Sequence, residues 1–218
     1  NLQFEKQTKI YKMKAVRIIL KWMIISMLSF TTFNLFISSE YEFERIIEID
    51  APIDSVYNQL ANLHNWPNWA VWWKNDSTIV TEFNEVRSGK GASMKWKGEE
   101  VGIGGLEIID CNIEGMEIKL NLGGMTPSGF FEFEEIDGRT KVTWSMKGGM
   151  PFFIRFMTLF MDKMAGPDLE EGLKRLKDVV GTSIYAGKKT EVVLVSQSMA
   201  NLASNNARQI YSQVAGLN

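Results

Sequence analysis

Apolar and polar residues alternate from Phe43 onward. Phe43, Ile47 and Ile49 fall on one face of an extended chain, and Glu42, Glu44 and Glu48 fall on the other. This is the period-two signature of a half-buried strand. After Ala51-Pro52 the period lengthens: Val56, Leu60 and Leu63 recur at helical spacing, and a proline is well tolerated in the first turn. Asn65 and Pro67 predict a second short helix carrying Trp66, Trp69, Trp72 and Trp73, four tryptophans within eight residues. Each indole needs an apolar bed for its body and an acceptor for its N–H, so the segment is expected to close over something.

Alternation returns between Ser77 and Gly149. Ile79, Thr81 and Phe83 predict one strand, and Ala92, Met94 and Trp96 share a face of the next. The run Val101 to Cys111 changes phase near Gly104-Gly105, which predicts a bulge or sharp bend there. Met116, Ile118, Leu120 and Leu122, then Phe131 and Phe133, then Val142, Trp144 and Met146 complete the set, with Asp137-Gly138 as a hairpin turn between the last two runs. Short connections make the sheet antiparallel. A helical segment from Pro151 to about Val180 follows. One stripe carries Phe153, Phe156, Met157, Phe160, Met161 and Met164, and a second carries Leu169, Leu173, Leu176 and Val180. Gly166-Pro167 lies between them and predicts a kink or a restart, which would leave Asp168 near a helix N-terminus. A bent sheet wrapped around one helix is expected to enclose free space.

Ahead of all this, Val16 to Ile37 is apolar. Its uncharged part, Trp22 to Ile37, falls slightly short of the roughly 20 residues that cross hydrocarbon. Arg17 and Lys21 can extend it by lying along the helix with their charges among headgroups. Lys6, Lys9, Lys12, Lys14, Arg17 and Lys21 precede the run, and Glu40, Glu42 and Glu44 follow it. The positive-inside rule then puts the N-terminus in the cytoplasm and the folded part outside. No small-x-small cleavage site follows the run, so the expectation is an uncleaved signal anchor rather than a removed leader. Met13-Lys14 looks like a natural start, which makes the residues before it upstream or cloning-derived sequence.

Three stretches carry a specific resemblance: DAPIDSVYNQLANLHNWPNW, GGMTPSGFFEFEEIDGRTKVTWSMKG and FMDKMAGPDLEEGLKRLK. With the order of elements, they resemble the START-related, polyketide cyclase/dehydrase-like (SRPBCC) superfamily over about Glu40 to Val180. The resemblance implies an α+β helix-grip (START/Bet v 1-like) fold, in which a curved antiparallel sheet surrounds a long C-terminal helix, here preceded by one transmembrane helix. It also implies a deep, mostly apolar cavity between helix and sheet, used across the superfamily for lipids, sterols, plant hormones and polyketides. One fold hosts carriers, sensors, cyclases and oxygenase subunits, so no single chemistry follows. The expected organisation is a cytoplasmic or cloning-derived stretch 1–15, an anchor 16–38, the helix-grip domain 40–181 and an extension 182–218. A strand at 191–197 and a helix at about 202–215 give that extension a weak likeness to the start of an effector-binding, gyrase-inhibitor-like domain. A packing extension or a poorly ordered end are the alternatives.

Composition removes several functions. A net charge of −2 and a pI near 5.6 argue against nucleic acid as a partner. One cysteine, Cys111, and one histidine, His64, cannot form a disulfide or a soft-ligand metal cluster, and no cofactor is expected. His64 is a weak candidate general base, set against the ordinary preference of a histidine for a helix C-terminus. Glu99 and Glu100 are neighbours whose side chains diverge in a strand and cannot share a substrate. Twelve methionines favour a permissive pocket. The expected lining is Trp69, Trp73, Met94, Trp96, Leu120, Phe131, Phe133, Trp144, Met146, Phe156, Phe160, Met164 and Leu173. The reading is therefore a membrane-anchored binding protein for a small apolar molecule or lipid, touching the membrane through residues 16–38. A polyketide cyclase/dehydratase-type enzyme and an effector-sensing regulatory module are the rivals.

Overall fold

The computed structural model describes residues 2–183 and Gln197, with side chains described from Lys12 onward. Apart from Gln197, the strand and helix expected in the C-terminal extension lie outside the described residues. Helix α1 is Leu2–Leu35. Strand β1 is Glu40–Ile49, α2 is Ile53–Ala61, a 3₁₀ turn runs Leu63–Asn68 and α3 is Val71–Asn75. Six strands follow: β2 Val80–Phe83, β3 Ser93–Gly98, β4 Gly102–Asn112, β5 Gly115–Leu122, β6 Ser128–Ile136 and β7 Arg139–Gly149. A 3₁₀ segment Phe152–Phe160 leads into helix α4, residues 161–183.

The seven strands form one antiparallel sheet in the order β1-β7-β6-β5-β4-β3-β2. The α+β helix-grip expectation is borne out: a curved sheet carries a long C-terminal helix. Alternation decides which residues face that helix. Met94 and Trp96, Leu106 and Ile108, Met116, Ile118 and Leu120, Phe131 and Phe133, and Val142, Trp144 and Met146 are all buried, while their neighbours point outward. From α4, Leu169, Leu173, Leu176 and Val180 complete the core. Between β6 and β7, Asp137 (φ 51°) and Gly138 (φ 76°) both take left-handed conformations, as the two-residue turn requires.

Two expectations need correction. β4 pairs without a break across Gly104-Gly105, and the bulge sits instead between Ile108 and Asp110. Gly104 is glycine for another reason, because a Cβ there would overlap the ring of Trp96. The bulge turns Cys111 back toward the interior, where the Tyr57 hydroxyl donates to its Sγ at 3.5 Å. That contact, with burial second, pushes the Tyr57 phenol up to about 12. Helix α4 also runs through Gly166-Pro167 uninterrupted, and the change of helical winding lies six residues earlier, at Phe160/Met161. Asp168 is therefore two turns inside α4, where burial raises its pKa.

Asp76 ends α3 and ties it to the sheet. Its carboxylate accepts from the Thr78 N–H (2.9 Å) and hydroxyl (2.5 Å), and from the N–H groups of Glu100 (2.8 Å) and Val101 (3.1 Å). These bonds, the Thr78 hydroxyl foremost, hold its pKa down at about 2. A depressed carboxylate pKa contributes stability that is present above the ordinary value near 4 and lost as pH falls toward 2. Asp76→Asn is expected to lower the melting temperature at pH 7 by roughly 5 °C. It should also flatten the fall in melting temperature between pH 4 and 2, as followed by circular dichroism.

Helix α1 stands apart from the core. Its 24 residues Lys12–Leu35 are long and apolar enough to cross a membrane, a property shared by signal sequences near an N-terminus, and they are almost wholly exposed. Every residue of the buried core cluster lies between Phe43 and Val180.

Candidate functional site

The candidate site is the space between α4 and the concave face of the sheet. Trp66 and Trp69, both fully buried, enter it from the 3₁₀ turn after α2. The Asn62 side chain starts that turn by accepting the His64 N–H at 3.1 Å, and the Trp66 indole donates to the Leu60 carbonyl at 2.8 Å. The two rings pack 4.6 Å apart. Trp69 meets Trp144 edge-on at 5.8 Å, Trp144 stacks on Phe131 at 4.9 Å, and Phe131 returns to Trp66 at 6.1 Å, which closes a four-ring set. Helix α4 lies across it at Gly172, where a Cβ would come within 3.2 Å of Trp144 and 3.7 Å of Trp69.

A second set fills the space beneath α3. Trp72 stacks on Trp96 at 5.9 Å, and Trp73 packs edge-on to Trp96 at 5.8 Å while its indole donates to the Thr81 hydroxyl at 3.1 Å. The tryptophan segment thus closes over the interior by inserting its rings. It is fastened to α4 by the Lys74–Glu171 ion pair at 2.9 Å and by Arg175, which donates to the Asn68 carbonyl at 3.1 Å. The open hollow implied by the resemblance is occupied by indoles. Clefts lie elsewhere. One of about 850 Å³ opens at the far end of α4 between Pro52, Ser55, Lys177 and Thr182, and one of about 570 Å³ lies along β3–β5 beside Lys95, Gly105 and Lys119. Neither is lined by any of these tryptophans.

Among the described residues four buried side-chain nitrogens meet no acceptor, Arg155 Nε, Arg175 Nη1 and two indoles of the interior. The indole nitrogens of Trp69 and Trp144 are buried and meet no acceptor from the protein. Trp66 and Trp73, from the same segment, both have acceptors. An unmet buried donor costs about 1–3 kcal/mol, so a neighbouring pair of them marks a place where an acceptor would be stabilised.

Ten of the thirteen expected lining residues come together here: Trp69, Trp73, Met94, Trp96, Leu120, Phe131, Phe133, Trp144, Met146 and Leu173 all belong to or pack on the one core cluster. Three do not. Phe156 is half-buried against Phe30 of α1, and Phe160 and Met164 are 51% and 58% exposed, pointing away from the sheet. Phe156 and Phe160 belong to a segment that winds at three residues per turn, which carries side chains off the stripe an α-helix would give, whereas Met164 already lies on α4. The expected list lacked Trp66 and Gly172. The tryptophan spacing held the signal for Trp66, whereas a glycine inside a helix gives none.

His64 is exposed and stacks on Phe83 at 3.9 Å, and among the described residues no carboxylate pairs with it. Asp76, Tyr57 and Asp168 have shifted pKa values on three separate elements, and no hydrogen bond joins them into an acid/base pair. Among the described residues no three His, Cys, Asp or Glu side chains gather as metal ligands. Buried polar side chains there are Asn34, Asp76 and Thr140, none of them part of the four-ring set.

Comparison with known proteins agrees with this architecture. A family model described as polyketide cyclase / dehydrase and lipid transport matches residues 40–181. Protein NE0264 from Nitrosomonas europaea is 10% identical with a TM-score of 0.50, over 66% of this chain and 97% of that one. A norcoclaurine synthase point mutant from Thalictrum, in complex with a transition state analogue, is 12% identical with a TM-score of 0.50, over 66% of this chain and 96% of that one. At such identities the likeness is one of fold. No curated protein matches the chain.

Proposed function

Because the chain belongs to the polyketide cyclase / dehydrase and lipid transport family, we propose that it is a membrane-anchored binding protein for a small apolar molecule or lipid. The guest lies between α4 and the sheet, and its polar end accepts from Trp69 and Trp144. The observation that carries this reading is the pair of buried indole N–H groups without a protein acceptor. The rings fill the space when no guest is present, so a guest enters by displacing them and lifting α4 at Gly172. Two ties resist this motion: the Lys74–Glu171 ion pair, which is exposed and individually weak, and the single bond from Arg175 to the Asn68 carbonyl. The family description allows lipid transport, and tethering suits a ligand taken from the bilayer.

In this reading residues 16–38 are an uncleaved anchor, with the N-terminus in the cytoplasm and the folded part outside the cell membrane. A reporter active only in the cytoplasm, fused after Val180, should give no signal, and activity there would reverse the orientation. For the site, the soluble part 40–183 is incubated with a mixed lipid extract and what it retains is identified by mass spectrometry. One apolar species carrying a hydrogen-bond acceptor is expected, and retention of nothing apolar would end the proposal. Trp69→Phe and Trp144→Phe each remove one donor, and are expected to weaken binding of that species about five- to tenfold with little loss of fold.

A second reading is favoured by the same packing. If the edge-on contact of Trp69 and Trp144 satisfies one N–H on the partner ring, the interior is a finished core, and the domain works through its surface. The lipid-retention experiment separates the two. The cyclase/dehydratase alternative requires an acid/base pair facing the interior, and no such pair supports it among the described residues.

A further inference from the structure

The end of α1 does not simply hand the chain on to the sheet. Asn34, the one fully buried residue of α1 among those described, donates from Nδ2 to the Phe30 carbonyl at 2.9 Å, and its Oδ1 accepts the Phe156 N–H at 3.2 Å. Arg155 donates to the Asn34 carbonyl at 3.4 Å, and the Thr158 hydroxyl donates to the Ser38 carbonyl at 3.1 Å. Phe30 and Phe156 pack edge-on at 5.9 Å. The 3₁₀ segment Phe152–Phe160 is thus clasped to the last turn of α1.

That segment, FFIRFMTLF, holds seven apolar residues and no acid. Phe153 is 74% exposed, Leu159 61% and Phe160 51%, and Met164 continues the strip onto α4. Beside it Phe33, Leu35 and Phe36 of the anchor are equally bare. Single exposed apolar residues are ordinary, but a contiguous patch of this kind marks an interaction surface. Length tells what covers it. From Arg17 to Leu35 an α-helix rises about 28 Å, close to the ~30 Å of a hydrocarbon core, so with Arg17 at the inner headgroups Leu35 sits at the outer boundary. The segment clasped to Leu35's turn is at the same depth, and its bare aromatic and aliphatic side chains suit the boundary between headgroups and acyl chains. Arg155, lying over the Phe152 ring at 5.3 Å, adds a cation at headgroup level.

We propose that Phe152–Phe160 and Met164 form a second membrane contact, laid flat in the outer leaflet's interface, which holds the start of α4 on the bilayer. The inference rests on the anchor reading above. It gives the domain a fixed pose, with the sheet edge at β1 and the entry to α4 nearest the lipid.

The test uses the full chain with Cys111→Ser, carrying one cysteine in place of Phe153, Leu159 or, as a control four strands away from β1, Ile103, which is 71% exposed. Each is labelled with an environment-sensitive fluorophore and reconstituted into phosphatidylcholine/phosphatidylglycerol vesicles. At 153 and 159 the label should be quenched by doxyl-labelled lipid and be at least about threefold less accessible to iodide than at 103. Iodide access equal to that at 103 would overturn the contact. Shielding from both quenchers would also overturn it, by showing that protein covers the patch. Release of the whole chain by alkaline carbonate would instead remove the anchor reading, and this inference with it.

Discussion

Replacing Trp66 by alanine lowers the stability of the domain by about 3–5 kcal/mol, as for other buried aromatic truncations. On a domain of this size that is roughly 10–15 °C in melting temperature. The effect is large because one side chain has two tasks. Its ring is fully buried between Trp69 and Phe131, and its N–H satisfies the Leu60 carbonyl at the end of α2. Alanine leaves a hole beside the four-ring set and an unpaired carbonyl together. Thermal melts of the domain 40–183 read the change, and a shift below 5 °C would mean that the ring set collapses around the hole.

Gly104→Val is the second. The Trp96 ring lies directly over Gly104, at the point where β4 pairs with both β3 and β5. A valine there must expel the ring or part the strands, an overpacking expected to cost about 1–3 kcal/mol or somewhat more. Expulsion also takes Trp96 away from Trp72 and Trp73, so the near-ultraviolet circular dichroism of the coupled indoles should fall along with the melting temperature. A double change, Gly104→Val with Trp96→Ala, makes room for the new side chain and should be less than additive. Full additivity would mean that the two residues do not press on one another.

The sheet was readable from sequence because alternation along each strand reports directly which face is buried, as at Met116, Ile118 and Leu120. The turn at Asp137-Gly138 was readable because few residues accept left-handed backbone. What alternation cannot report is how far a side chain reaches. Trp69 and Trp144 read equally well as the wall of a hollow or as its contents, and only their mutual distances tell that they are the contents. Gly104-Gly105 read as a bulge because glycine has two uses in a strand, bending and making room, and sequence does not separate them. The stripe failed between Phe153 and Phe160 for a geometric reason: a 3₁₀ turn advances about 20° more per residue than an α-helix, so positions seven residues apart drift by about 140°. Apolar residues that end up exposed also look, in sequence, like apolar residues that meet a core. Neither the clasp at Asn34 nor the exposure of its partners leaves a mark in composition.

The proposed function requires that two neighbouring indole donors, left without acceptors by the protein, be met by a guest. Proton–nitrogen correlation spectra of the tryptophan indoles in the domain 40–183, recorded with and without an apolar lipid fraction, test this most directly. On loading, the Trp69 and Trp144 N–H resonances should move downfield, while Trp66, bonded to Leu60, and Trp73, bonded to Thr81, stay nearly in place. If neither resonance moves with any apolar fraction at saturation, the interior is a closed core and no guest is held there.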